Sequence, residues 1–273
     1  MLQVNFIPER PGTSVTAFAV ARGSKLIAVA ESDEKTITVT SVTLQTGQRQ
    51  EAVELPGRVN DLSFSGDGAI IAALCPDNNQ IVTWMAGSRT FIQTCQADAH
   101  SCDFGGGPRH ETLAIAGLTI CCLWTPGKRG DLIKADVNIQ APEGSEILAQ
   151  AWLKGGVLAL AFSSGDVLLR QDEAISSMTI AAGASLHSIA AFERGFVVGG
   201  TNASIAFMEP STAAAKKAGA ASYQLMRMYE VQAKALRFAK QLIDMPKCIS
   251  IHPMGFMVLI GFAVELNLYY VLR

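Results

Sequence analysis

Six times along this chain, an apolar strand ending in a large or branched residue is followed by a turn and then by a strand of small and branched apolar residues. The copies read VTAFAVARGSKLIAVA, VNDLSFSGDGAIIAALC, HSCDFGGGPRHETLAIAG, EILAQAWLKGGVLALAF, LHSIAAFERGFVVGG and KCISIHPMGFMVLIGF. Anchored on the last residue of each first strand, they fall at Val20, Phe64, Phe104, Trp152, Phe192 and Ile251, separated by 44, 40, 48, 40 and 59 residues. Four of the five intervals lie close to the roughly 40 to 45 residues of a four-stranded blade. A chain with that period is constrained to sheets that repeat around an axis, because one such unit cannot bury its own apolar face.

A third strand follows several copies, as TITVTSV, QIVTWMA, LTICCLW, GDVLLR, ASIAFME and VELNLYYV. More polar fourth strands fit RQEAVEL, TFIQTCQ and DLIKADV. The expectation is an all-β chain, a β-propeller of about six blades forming one domain over residues 1–273. The last copy stops at its third strand, Val264 to Leu272, and residues Leu2 to Ile7 alternate apolar and polar. That N-terminal strand is expected to pair beside the C-terminal one and close the ring, since an open inner edge is a liability.

The long interval has another texture. Between Thr212 and Ile243 the chain is Ala-rich, and Leu225, Met228, Tyr229, Leu236, Ala239, Leu242 and Ile243 recur at three and four residues. This spacing predicts a helical insertion over 212–243, stopped before Pro246. Lys216, Lys217, Arg227, Lys234, Arg237 and Lys240 face one acid there, Glu230. Such residues are either a solvated helix face or a docking surface for an acidic partner.

Elsewhere charge is balanced. Lys and Arg number 22 against 24 Asp and Glu, which leaves no basic surplus to neutralise phosphates and excludes nucleic acid as a partner on electrostatic grounds. MLQVNFIPERPG has neither a basic start nor an unbroken apolar core, so it does not read as a secretory signal. Six scattered cysteines without a CxxC fit buried thiols in a reducing compartment, and the chain is expected to stay in the cytosol. From Ile251 to Leu272, His252, Glu265 and Asn267 interrupt the apolar run; two strands fit better than the roughly 20 apolar residues of a membrane helix. The end at Arg273, directly after a strand, reads as a truncation.

No constellation for catalysis emerges, and neither cofactor nor metal is expected. Cys95, His100, Cys102 and His110 lie close together, but their spacing matches no zinc pattern. Cys121 and Cys122 are adjacent on a strand and point to opposite faces. Gly105 to Gly107 lack the Lys-Ser or Lys-Thr of a phosphate loop, and Arg129-Gly130-Asp131 reads as a turn. Inner-strand positions are mostly Val, Leu, Ile, Ala and Phe rather than acids or histidines, which argues against a propeller enzyme holding substrate in a central channel.

VNDLSFSGDGAIIAALCPDNNQIVTW resembles a WD-repeat, with SFSGDG as the strand-turn pattern and Trp84 where the Trp of the Trp-Asp pair stands. Trp124 occupies the same place in the next copy. Met85 and Thr125 replace the Asp, and no Gly-His pair opens a blade. FIPERPG, AVARGSKLIAVAE, DLSFSGDG, GVLALAFSSGDVLL, AAFERGFVVGG and ISIHPMGFMVLIGFAVELNL, in that order, are similar to the first propeller of the cilia- and flagella-associated WD-repeat proteins. The resemblance implies a non-catalytic structural scaffold of the ciliary or flagellar axoneme, in contact with other axonemal proteins, tubulin, and inner-arm dynein or its regulatory complexes. Phe64, Trp84, Phe104, Trp124, Trp152 and Phe192 are then structural blade positions, and Arg227, Lys234, Arg237 and Lys240 the candidate contacts for an acidic partner such as tubulin. A WD-repeat adaptor in another cytosolic complex, whether microtubule-binding, vesicle coat or ubiquitin ligase, stays open on blade physics alone.

Overall fold

The computed structural model describes residues 12–21, 26–33, 37–43, 48–49, 52–86, 91–96, 99–105, 111–127, 131–180, 184–201, 204–211, 222–231, 246–262 and 266–271. They form two compact units, Met1–Ile139 and Gln140–Arg273. Each unit is a series of antiparallel sheets in which every strand pairs with the next in the chain.

The first unit holds three sheets. β1 (Ser14–Val20), β2 (Leu26–Ser32), β3 (Ile37–Thr43) and β4 (Val53–Glu54) form the first. The second contains β5 (Asp61–Phe64), β6 (Ile70–Cys75), β7 (Gln80–Met85) and β8 (Phe91–Gln96); the third contains β9 (Ser101–Gly105), β10 (Thr112–Ala116), β11 (Ile120–Pro126) and β12 (Leu132–Gln140). In the second unit, β13 (Ile147–Leu153), β14 (Val157–Phe162), β15 (Asp166–Gln171) and β16 (Ala174–Thr179) make the fourth sheet. The fifth is β17 (Leu186–Phe192), β18 (Gly195–Gly200), β19 (Ser204–Pro210) and β20 (Tyr223–Glu230). Three strands, β21 (Cys248–Ile251), β22 (Met257–Gly261) and β23 (Leu266–Tyr270), complete the described part of the sixth.

The six anchors of the repeat each sit at or next to the C-terminal end of a sheet's first strand. Turn chemistry explains why the chain reverses after them. In SFSGDG the Ser65 hydroxyl donates to Asp67 Oδ1 at 2.6 Å, the same oxygen accepts the Ala69 N–H at 2.9 Å, and Ile70 N–H donates to Ser65 Oγ at 2.9 Å. Gly68 takes φ +72 within this turn, a conformation that costs a side-chain-bearing residue about 1 kcal/mol or more.

Packing is face to face between neighbouring sheets. Ala28, Ala30 and Val39 of the first sheet share a core with Phe64, Ile71, Ala73 and Trp84 of the second. The opposite face of the second, through Ala72, Leu74 and Ile81, packs on Phe104, Leu113 and Ile115 of the third. In the second unit Ala159, Ala161 and Leu169 meet Phe196, Val198 and Met208, and Val197, Ile205 and Phe207 meet Val258 and Ile260. Small residues on the second strands let these sheets approach closely where the blades taper.

The described part of the expected helix contradicts it: Tyr223–Glu230 is a strand. Gln, Leu, Met and Arg favour helix intrinsically, but β19 offers a second edge whose backbone groups need partners, and β20 supplies them from Tyr223 to Glu230. The rest of 212–243 lies outside the described residues, as does the Leu2 to Ile7 segment expected to close the ring. Within the Ile251–Leu272 stretch the described residues hold the end of β21 and strands β22 and β23 rather than a membrane helix. No helix among the described residues is long and apolar enough to cross a membrane.

One charge is buried in the first sheet. Glu31 on β2 is 1% exposed and accepts from the Arg49 guanidinium through both oxygens, at 2.8 to 3.2 Å. Removing the carboxylate strands a guanidinium at a partly buried site. Glu31→Gln is therefore expected to lower the unfolding free energy by about 3 kcal/mol, measured by urea denaturation, and an unchanged midpoint would contradict the pairing.

Candidate interaction surface

Besides the Glu31–Arg49 pair, two places among the described residues depart from plain sheet packing, one in each unit. The first lies between β5 and β9. At the position before each anchor the six first strands carry Ala19, Ser63, Asp103, Ala151, Ala191 and Ser250; two residues earlier they carry Ala17, Asp61, Ser101, Ala149, Ile189 and Cys248. Both carboxylates thus fall on the second and third blades. The reading of inner strands as apolar overlooked these two acids, and comparing equivalent positions across the copies was the signal that finds them.

Asp61 and Ser63 project from β5 to β9. Asp61 Oδ2 accepts the Cys102 N–H at 2.9 Å, and Ser63 Oγ accepts the Phe104 N–H at 2.9 Å. Residues two apart on β9 aim their N–H groups the same way, and side chains two apart on β5 receive them. Ser63 also donates to Asp103 Oδ1 at 3.1 Å, and Asp61 Oδ1 holds the Leu62 N–H at 2.9 Å. Ala19, Val20, Phe64 and Phe104 border a cavity of about 210 Å³ beside Ser63 and Asp103. Burial pushes Asp61 up to about 7, with the charge of Asp103 adding to the rise and the Cys102 and Leu62 N–H groups opposing it. The oxygens of Asp61 are occupied by backbone donors, so the arrangement works as a polar stitch between two blades.

Of the four residues weighed as a metal set, the Cys95 side chain and His110 lie outside the described residues. His100 Nδ1 sits 2.7 Å from the Ala116 carbonyl oxygen. Cys102 is buried, and burial, followed by Asp61 and Asp103, pushes its thiol well above the ordinary value; such a thiol is a poor ligand or nucleophile.

The second place is the outer strand of the fifth sheet. Leu225, Met226, Met228 and Tyr229 on β20 are 48%, 47%, 43% and 36% exposed. Pairing with β19 slips between Phe207 and Met208, so that Phe207 faces Arg227, Met208 faces Leu225 and Met226 is the extra residue. A bulge of this kind re-aims side chains, and here Met226 and Arg227 both line one cleft. Its other walls are Phe192, Arg194, Phe207, Glu209, Gly255 and Val271, and its volume is about 170 Å³. Phe207 stacks edge-on against Phe192 and Tyr229 at 6.3 and 5.8 Å. Arg194 Nη2 pairs with Glu209 Oε2 at 2.6 Å, and Arg227 Nη1 donates to the Tyr229 hydroxyl at 3.2 Å.

Arg227 is therefore at the cleft, whereas Lys234, Arg237 and Lys240 lie outside the described residues. Phe64, Trp84, Phe104 and Phe192 are buried in the sheet-to-sheet cores, and Trp152 is buried on β13. Trp124 is half-buried against the core between the second and third blades.

No protein-family model and no curated protein matches this sequence. The structure is similar to the β-propeller domain of Cps50 (Swd1) from Myceliophteria thermophila, with a TM-score of 0.73 at 14% identity, over 95% of this chain and 85% of that one. It is similar also to a protein from Lactobacillus plantarum, with a TM-score of 0.65 at 13% identity, over 86% of this chain and 74% of that one. At such identities the likeness speaks for architecture alone.

The stitch makes a pH prediction. A folded value near 7 against 3.8 for an ordinary carboxyl means that the native state binds more protons than the unfolded chain between those values. Stability from this group is therefore present at low pH and lost as pH rises through about 7. Discounted for solvent screening of a half-buried carboxyl, the change is about 1–2 kcal/mol. Denaturation of the wild type from pH 5 to 8 is expected to show it and Asp61→Asn to flatten it; identical profiles would contradict the assignment. By the sheet count among the described residues and the matched architecture, the chain has a six-bladed β-propeller fold.

Proposed function

We propose that this propeller is a non-catalytic protein-interaction scaffold of the ciliary or flagellar axoneme. The observation that carries the scaffold reading is β20, an outer strand whose Leu, Met and Tyr side chains lie exposed around Arg227. Exposed apolar groups with Met, Tyr and Arg among them have the composition of interface cores rather than of ordinary surface. Polar groups between the second and third blades are spent on holding strands together, which leaves turns and outer strands to meet other molecules.

The axonemal part rests on the ordered motifs that resemble cilia- and flagella-associated WD-repeat proteins. On this reading Arg227, Lys234, Arg237 and Lys240 meet an acidic surface, tubulin foremost, and the propeller helps to hold inner-arm dynein or its regulatory complexes on the microtubule. Association through such charges weakens as salt screens it.

A tagged copy expressed in a flagellated cell is expected to remain with detergent-extracted axonemes and to leave them at about 0.5 M salt, where the screening length falls to a few ångströms. Charge reversal at Arg227, Lys234, Arg237 and Lys240 together is expected to move it to the soluble fraction. A wild-type protein that is diffuse in the cytosol and absent from extracted axonemes would contradict the axonemal assignment, and recovery with a vesicle coat or ubiquitin ligase would replace it.

A further inference from the structure

β20 is the last strand of its sheet among the described residues, with β19 on one side only. A strand in that position presents N–H and C=O groups on its other edge that a further strand can use. Proteins commonly blunt such edges with charge or proline, yet the β20 sequence YQLMRMYE has one Arg, one Glu and four large apolar residues exposed by at least a third. The bulge at Met226 brings a pocket to this edge, because Met226 and Arg227 both turn to the cleft floored by Phe192, Phe207 and Val271.

Size and charge narrow what can occupy it. About 170 Å³ takes a ring-sized or branched apolar group, since a cavity of roughly 150 Å³ holds benzene. On its walls Arg194 and Glu209 pair with one another, and Arg227 adds a positive charge beside them. The occupant complementary to these walls is an acidic segment with an apolar side chain.

We propose that the β20 edge binds an extended acidic peptide of a partner protein by strand addition, with one apolar side chain seated in the cleft beside Met226. Main-chain hydrogen bonds would give affinity and the cleft specificity, the division of labour usual for added strands. Carboxylates on the peptide meet Arg227. This deepens the scaffold reading and rests on it, naming the chemistry of a partner without requiring that the partner be axonemal.

The test uses the full chain and a short fluorescein-labelled peptide alternating Glu with Phe and Val, followed by anisotropy at low salt. Binding is expected to weaken by about tenfold on Arg227→Glu and again on Met226→Asp, the loss expected when a buried or charge-paired interface group is reversed. Lys134→Glu, on the exposed side of β12 in the other unit, leaves it unchanged. A peptide N-methylated at alternate amides loses binding, and one with Lys for Glu does not bind. Circular dichroism confirms that each variant is folded. No binding by the Glu peptide, equal binding by the Lys peptide, indifference to N-methylation or to Arg227→Glu, or a dimer of this chain that covers the edge would each overturn the proposal. Failure here with the tagged protein still in axonemes removes strand addition alone, whereas peptide binding without axonemal recovery removes only the location.

Discussion

Everything else in this protein depends on the pressing of one apolar sheet face against the next. A four-stranded meander of this composition is apolar on both sides, so none of the sheets can stand as a separate domain in water. The second sheet shows it directly, with Ile71 and Ala73 turned to the first sheet and Ala72 and Leu74 to the third. Each fully buried Leu, Ile or Phe contributes about 1.5–3 kcal/mol, and Leu74, Leu113, Leu160, Phe162 and Phe196 are among those removed entirely from solvent. Alanines at the second strands serve the same end by letting the sheets come together without voids.

That constraint also decides which elements were legible in the sequence. Second strands such as β6, β14 and β18 bury side chains on both faces, so their apolar runs are unbroken and their period shows. The third strand ending near Trp84 is of the same kind. Outer strands answer to weaker demands. β16 reads AISSMT and β20 reads YQLMRMYE; neither alternates apolar with polar residue types, and the first passed unnoticed while the second resembled a helix. What makes β20 a strand is the unpaired edge of β19, which no window of local sequence contains.

The polar residues were hidden for a different reason. Asp61 and Ser63 alternate with Leu62 and Phe64 on β5 and Asp103 lies on β9, and only the registration of two blades brings them within hydrogen-bond distance. Their role is visible from the donors they satisfy, the Cys102 and Phe104 N–H groups on β9. The bulge that turns both Met226 and Arg227 to one cleft is equally a property of pairing, with no signature in the residues themselves. Inner seam and outer edge thus use one physical fact in opposite ways. Where backbone donors at a strand edge are met from within the protein the blades are held, and where an edge is left with apolar side chains around it a partner can be received.

The account turns on β20 being an exposed outer strand paired on one side only among the described residues, and amide hydrogen exchange resolved over residues 223–230 reads that state directly. In an antiparallel edge strand about half of the amides bond to the neighbour and half face outward. The expected result is therefore a split population, with one set protected through β19 and the other exchanging at the rate of open chain. Uniform protection across the segment, as a helix or a strand covered on both sides would give, or uniform rapid exchange, would contradict the structure on which the interaction surface is built.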